Sequence, residues 1–166
     1  MVLKLKKMIK VENTEIRFHE NWTDIDVNLA MAALDLGRAS SQFNLLVETV
    51  CEQFDLSVFE LEVLVLLRSF PYPHRLTPSS LSNALMVSSG GLTKVLIKLE
   101  SKQHIVRDAN PMDKRSKIVR LTDSGIRFIE KNYPIVQYAS KQFFESKLSK
   151  RELQLLTSLL IKLLKD

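Results

Sequence analysis

The stretch LTPSSLSNALMVSSGGLTKVLIKLE, residues 76–100, constrains this chain more than any other. Thr77 stands where a helix N-cap belongs and Pro78 at the first helical position, so a helix starts there. It is short, with Leu81, Ala84 and Leu85 sharing a face. Met86 and Val87 then make a tight connection to Ser88, from which a second helix runs. Two short helices joined by about three residues, the second with a small polar start, form a helix-turn-helix. Around the second helix Leu92, Val95, Leu96 and Leu99 fall within about 100°, the width of a core-facing stripe. Gly90, Lys94, Ile97 and Ser101 point the opposite way, with Thr93 and Lys98 on the flanks.

The start of that second helix is unusual. The chain has four glycines, Gly37, Gly90, Gly91 and Gly125, and two of them share one helical turn. Each costs a helix interior about 1 kcal/mol relative to alanine. Ser88, Ser89, Gly90 and Gly91 leave almost no side-chain bulk at the end where backbone N–H groups are unsatisfied and the dipole is positive. Such an end can be pressed against an anion. The competing explanation is close packing of the two helices.

Charge separates along the chain in the same sense. Of 166 residues, 24 are Lys or Arg and 19 are Asp or Glu, a net charge of +5. Residues 1–10 hold four lysines and no acid, whereas residues 11–87 hold four basic and eleven acidic residues. Residues 88–120 hold eight basic residues, Lys94, Lys98, Lys102, Arg107, Lys114, Arg115, Lys117 and Arg120, against Glu100, Asp108 and Asp113. Positive density therefore begins at the glycine-softened helix. A charge run is commonly a solvated face; here it coincides with a helix end shaped for close approach.

The flanks read as mainly helical. Residues 24–54 suggest one long helix, with Leu29, Ala33, Leu36, Phe43, Leu46, Val47, Val50 and Phe54 at helical spacing. Ser57 and Glu60, in capping-box spacing, open another that must stop at Pro71 and Pro73. Beyond the helix-turn-helix, HIVRDA and KIVRLT are β-branched runs separated by NPMDKRS, a β-hairpin with a basic tip. Thr122 caps a further helix that passes Pro134, where a kink is expected, and Ser149 with Glu152 caps the last. That last helix carries Leu or Ile at 153, 155, 156, 159, 160, 161, 163 and 164, more apolar surface than a lone terminal helix hides. Burial in its own core is one outlet; a second subunit, met jointly with the long first helix, is the better one.

These elements and motifs resemble the MarR family of winged helix-turn-helix regulators over roughly residues 36–164. Residues 76–100 are similar to the two DNA-reading helices of that family, and NPMDKRSKIVRLTDSG to its wing, where a D-x-R arrangement is met by Asp113 and Arg115. The resemblance implies a mainly α fold with a small β-hairpin wing. An N-terminal extension (1–23) would precede a helical dimerisation region (24–56 and 123–166) and a winged helix-turn-helix DNA-binding domain (57–122). It implies a homodimer on double-stranded DNA, a repressor relieved by a small-molecule effector, with Asp113 supporting Arg115 as the wing enters the minor groove. Three positions depart from the family pattern: Gln103 replaces a glycine common at the end of the recognition helix, His104 an apolar residue, and Asp108 an arginine before the wing.

The expected DNA contacts are Ser88, Ser89 and Gly90 to backbone or phosphate, Thr93 and Lys94 to base edges and phosphates, Lys98 to phosphate, and Lys114 and Arg115 from the wing. Ile97 either touches a thymine methyl or is shielded by the neighbouring subunit's wing. Cys51 is a small core residue rather than a redox sensor, and His104 a structural histidine rather than a pH or ligand sensor. Phe18, His19 and Trp22 either cover an effector pocket or pack against the dimer helices. One cysteine and three separated histidines give no metal or disulfide framework. No cofactor is expected. Without an activated nucleophile, a His–carboxylate spacing or a phosphate loop, the chain is not read as an enzyme. A winged module for protein association alone is the rival reading, and it has no need of so basic a wing. No signal-peptide core or membrane span is legible, so a cytoplasmic chain without membrane contact is expected.

Overall fold

The computed structural model describes residues 14–110 and 113–165, with the backbone alone at 113–115. The lysine tail and the Pro111–Met112 tip of the hairpin lie outside the described residues. The chain forms two compact units, residues 1–43 and 44–166. In the first, a short helix α1 (Thr14–Asn21) that the sequence did not announce precedes α2. Helix α2 (Val27–Cys51) opens three residues later than its apolar spacing suggests and continues into a 3-10 turn at Glu52–Phe54. The delay has a local cause: the Asp26 carboxylate accepts from the Leu29 backbone N–H at 3.0 Å and so holds a helix start.

In the second unit, α3 (Val58–Ser69) begins with the full capping box: Glu60 N–H donates to Ser57 Oγ and Ser57 N–H to Glu60 Oε2. Helices α4 (Pro78–Ala84) and α5 (Ser89–Ser101) follow, capped by the hydroxyls of Thr77 and Ser88. Of the three residues read as sharing a face of α4, Leu81 is fully buried, Leu85 half-buried and Ala84 exposed. The hairpin is β2 (Ile105–Asn110) and β3 (Asp113–Leu121). A two-residue strand β1 (Arg75–Leu76) adds to it, pairing antiparallel with β3 through Arg75–Arg120 and Leu76–Val119 in the order β1-β3-β2. Two residues are too few to leave a periodic signal, so this strand was not foreseen.

The core collects Leu61, Val63, Leu64 and Leu67 of α3, Leu81 of α4, the four-residue stripe of α5, Ile105, Val119 and Leu121 of the sheet, and Ile129 of the next helix. That helix, α6 (Asp123–Glu145), runs through Pro134 as one element, and α7 (Lys150–Leu163) closes the chain with a second capping box at Ser149 and Glu152. No residue of α7 is buried. Cys51 is completely enclosed, and burial, then the carboxylates of Glu48, Glu60 and Glu62, push its thiol up. It stays protonated, as a packing residue would.

Three helix ends close through residues in the left-handed region, and none of these is glycine: Asp55 (φ 56°), Met86 (φ 53°) and Gln103 (φ 59°). At Met86 the closure is a Schellman pair, Val87 N–H to Ser82 O at 3.0 Å and Met86 N–H to Asn83 O at 3.2 Å. At Gln103 it repeats, with His104 N–H to Leu99 O at 3.0 Å and Gln103 N–H to Glu100 O at 2.9 Å. The left-handed cap therefore forms at Gln103 even though glycine is missing. No described glycine has a positive φ.

Candidate nucleic-acid interface

The site is built on the start of α5. Ser88 holds an extended backbone and its hydroxyl accepts from Gly91 N–H at 3.3 Å, so this serine is first of all the helix cap. Ser89 and Gly90 follow, both exposed. A Cβ built on Gly90 would meet nothing within 4 Å, which removes helix packing as the reason for a glycine there. On Gly91 it would meet the Ser88 hydroxyl at 3.3 Å, so this second glycine leaves room for the cap. Packing does explain a third: at Gly125 a Cβ would lie 2.0 Å from the His104 carbonyl oxygen.

The remaining residues of the face emerge as the wheel places them. Thr93, Lys94, Ile97, Lys98 and Ser101 are exposed, while Leu92, Val95, Leu96 and Leu99 are at most 9 % exposed. Among the described residues, Lys94 and Lys98 have no ion-pair partner and present their charge outward. Other cations of the basic run are engaged within the fold. Arg107 Nε donates to Glu100 at 2.8 Å, and this hydrogen bond is the main reason the Glu100 carboxyl is held below its usual range. Arg120 Nε donates to Asp108 at 3.1 Å, so the aspartate that departs from the family pattern has a place within the wing. Asn110 and Ser116 join the strands near the tip at 2.8 Å. The side chains of Asp113, Lys114 and Arg115 lie outside the described residues; the backbone sets all three at the start of β3, beside the hairpin tip.

Two residues, Lys102 and Glu60, fix α5 through a tie that the sequence did not announce. Lys102, at its C-terminal cap, lies 3.3 Å from the Asp55 carboxylate and 3.5 Å from Glu60 Oε1 and donates to the Asp55 backbone oxygen. Glu60 is buried, so one carboxylate both caps α3 and receives the end of α5. Glu60 was legible as a cap, but its tie to Lys102 crosses 42 positions and has no local signature. His104 stacks on Phe128 of α6 with centroids 4.1 Å apart, and its backbone oxygen accepts from Thr122 N–H at 3.0 Å. Between α3 and α6 lies a cavity of about 320 Å³ lined by Val65, Arg68, Ser69, Ile129, Glu130, Tyr133 and Pro134. The Arg68–Glu130 ion pair, with Arg68 Nε to Glu130 Oε1 at 3.0 Å, is part of its wall. In the first unit Phe18 and Trp22 are neighbours, with centroids 6.4 Å apart, and Trp22 is exposed. Among the described residues no cluster of His, Cys, Asp or Glu can hold a metal ion, and no helix is long and apolar enough to cross a membrane.

A helix-turn-helix whose second helix presents a bulk-free start, followed by a hairpin that completes a three-stranded sheet with β1, defines a winged helix-turn-helix protein. Comparison with known proteins narrows this class. No family model matches the sequence. An uncharacterised HTH-type transcriptional regulator of Bacillus cereus is 30% identical over 129 residues, covering 78% of this chain and 84% of that protein. The HTH-type transcriptional regulator PecS of Dickeya dadantii is 28% identical over 127 residues, 76% of each chain. Among solved structures, a variant of Escherichia coli MarR complexed with operator DNA superposes with a TM-score of 0.73 at 27% identity, covering 89% of this chain and 98% of that one. The chain belongs to the MarR family of HTH-type transcriptional regulators. Its relatives are regulators and not enzymes, in keeping with the absence of a catalytic constellation in the sequence.

Proposed function

We propose that this protein is a homodimeric, sequence-specific DNA-binding repressor of the cytoplasm, released from its operator by a small molecule. The observation that carries the reading is Gly90. It needs no left-handed backbone and meets no neighbour, so its missing side chain serves an approach from outside the chain. With Ser88, Ser89, Thr93, Lys94 and Lys98 around it, that approach suits a major groove, where helix N–H groups and hydroxyls meet phosphates and base edges. The solved complex of a MarR variant with operator DNA supports DNA as the partner. Lys114 and Arg115 at the wing tip suit the adjacent minor groove, with Asp113 orienting Arg115. The dimerisation region would be residues 24–56 and 123–166, which leave Leu29, Leu34, Leu36 and Leu45 of α2 and Leu155, Leu159 and Leu163 of α7 exposed in the single chain. The cavity between α3 and α6 is the candidate effector site, because a ligand wedged there would act on α3, on which the recognition helix packs.

The experiment is selection from a random DNA pool followed by fluorescence anisotropy on the enriched duplex. Arg115→Ala should weaken specific binding by about 1–3 kcal/mol at unchanged thermal stability. Enrichment of no sequence would exclude sequence-specific binding and favour a module for protein association; an affinity unchanged by Arg115→Ala would mean that the wing does not touch DNA.

A further inference from the structure

We infer that the recognition helix reads thymine C5-methyl groups through Ile97, assisted by the methyl of Thr93, and that Ile97 is a specificity-determining residue of this regulator. The inference rests on the groove docking proposed above and adds what the helix recognises once there.

The argument is one of elimination on the exposed face of α5. Purine edges are read in pairs of hydrogen bonds mainly by Arg, Asn and Gln, and cytosine is read by acids. Helix α5, SGGLTKVLIKLES, contains no Arg, Asn, Gln or Asp. Its one acid, Glu100, is held by Arg107. The hydroxyl protons are partly committed too, since Thr93 Oγ1 donates to Ser89 O at 2.8 Å and Ser101 Oγ to Lys98 O at 2.8 Å. That leaves two lysines, which serve phosphates or a guanine as point charges. It also leaves one large apolar side chain, Ile97, 52 % exposed although the helix's other aliphatic residues, Leu92, Val95, Leu96 and Leu99, are in the core. In the major groove the base-specific apolar group is the thymine methyl.

Spacing sharpens the expectation. Thr93 and Ile97 stand four residues apart, neighbours on one face about 6 Å apart along the axis. Base pairs step by about 3.4 Å, so the thymines they meet lie within two steps of one another.

The test uses the full-length protein and its selected duplex. Each thymine is replaced in turn by deoxyuridine, which removes the C5-methyl group and nothing else. For the wild type, one or two thymines per half-site should lose about three- to fivefold in affinity on replacement, the effect of one buried methyl. Ile97→Ala should bind the thymine duplex more weakly and be insensitive to deoxyuridine at the position facing it, with its melting temperature unchanged. Ile97→Val, which keeps two methyls, should retain most of the sensitivity. Uniform indifference of the wild type to deoxyuridine, or full sensitivity retained by Ile97→Ala, overturns the inference while leaving sequence-specific binding in place. Failure of the wild type to enrich any sequence overturns the groove docking itself, and this inference with it.

Discussion

At the scale of single residues the glycines and the left-handed positions have been separated. Asp55, His74, Met86 and Gln103 take positive φ, while Gly91 and Gly125 stand where a Cβ would press on a neighbour. Gly37 and Gly90 fit neither use, and Gly90→Leu isolates the role of the one at the start of α5. Leucine favours a helix by something approaching 1 kcal/mol over glycine, and nothing stands within 4 Å of the new Cβ, so the folded chain should melt at or above the wild-type temperature. Specific DNA affinity should nevertheless fall to the non-specific level of about 10⁻⁴–10⁻⁶ M, because the side chain would hold the helix N–H groups away from the phosphates. A variant that binds like wild type would remove this helix end from the interface. His104 yields a second expectation. Burial, then the Lys102 cation, hold its pKa below the ordinary histidine value, against an opposing pull from Glu60, and Nδ1 is buried without a hydrogen bond. With the folded pKa lowered, the unfolded chain takes up the proton first. The stability due to neutral His104 is therefore complete above about pH 6.5 and lost as pH falls through the folded pKa. His104→Phe keeps a ring against Phe128 and removes the titration. Its urea midpoint should consequently fall less than the wild-type midpoint between about pH 7.5 and pH 5.5. Equal falls would show that His104 does not titrate in this way.

Among elements, what the sequence made legible is local. Capping boxes at Ser57–Glu60 and Ser149–Glu152, the Thr77 cap with Pro78, and the Leu92–Val95–Leu96–Leu99 stripe all depend on residues within a turn or two, and the structure holds each of them. Helix α1 escaped notice because it is short and polar, with no buried residue to set a period. The end of α5 escaped it for another reason: the Gln103 cap is stabilised from a distance. Thr122 Oγ1 donates to Gln103 O at 2.7 Å, and Lys102 reaches Asp55 and Glu60. The join between α5 and α6 is close enough to be tested at one atom. Gly125→Ala would place a methyl 2.0 Å from the His104 carbonyl oxygen, a backbone atom with little freedom to move. A loss of about 1–3 kcal/mol in folding stability is expected, measured by urea denaturation, although Gly125 sits in a helix where alanine ordinarily helps. Stability equal to wild type would mean that the two elements separate freely.

For the whole molecule, the unanswered demand is apolar surface. The second unit has a core between α3, α4, α5, α6 and the sheet, yet α7 buries nothing in it. Leu155, Leu159, Leu160, Ile161, Leu163 and Leu164 are each at least 36 % exposed, and Leu29, Leu34, Leu36 and Leu45 on α2 are exposed as well. Six large aliphatic side chains on one terminal helix are worth on the order of 10 kcal/mol when taken out of water, at about 1.5–3 kcal/mol for each full burial. A monomer forgoes that gain. In the proposed dimer a second copy of the chain, presenting the same faces about a twofold axis, would recover it for both subunits. The winged unit contributes little to this balance, because its core is complete without α7. On the proposed dimer, a chain ending at Ser149 should therefore keep the winged fold and lose the assembly, running as a monomer in sedimentation velocity while the full chain sediments as a dimer. DNA binding should weaken with it, since two half-sites can then no longer be held by one particle. A truncated chain that sediments as a folded dimer would place the subunit contact elsewhere, and the leucines of α7 would need another partner.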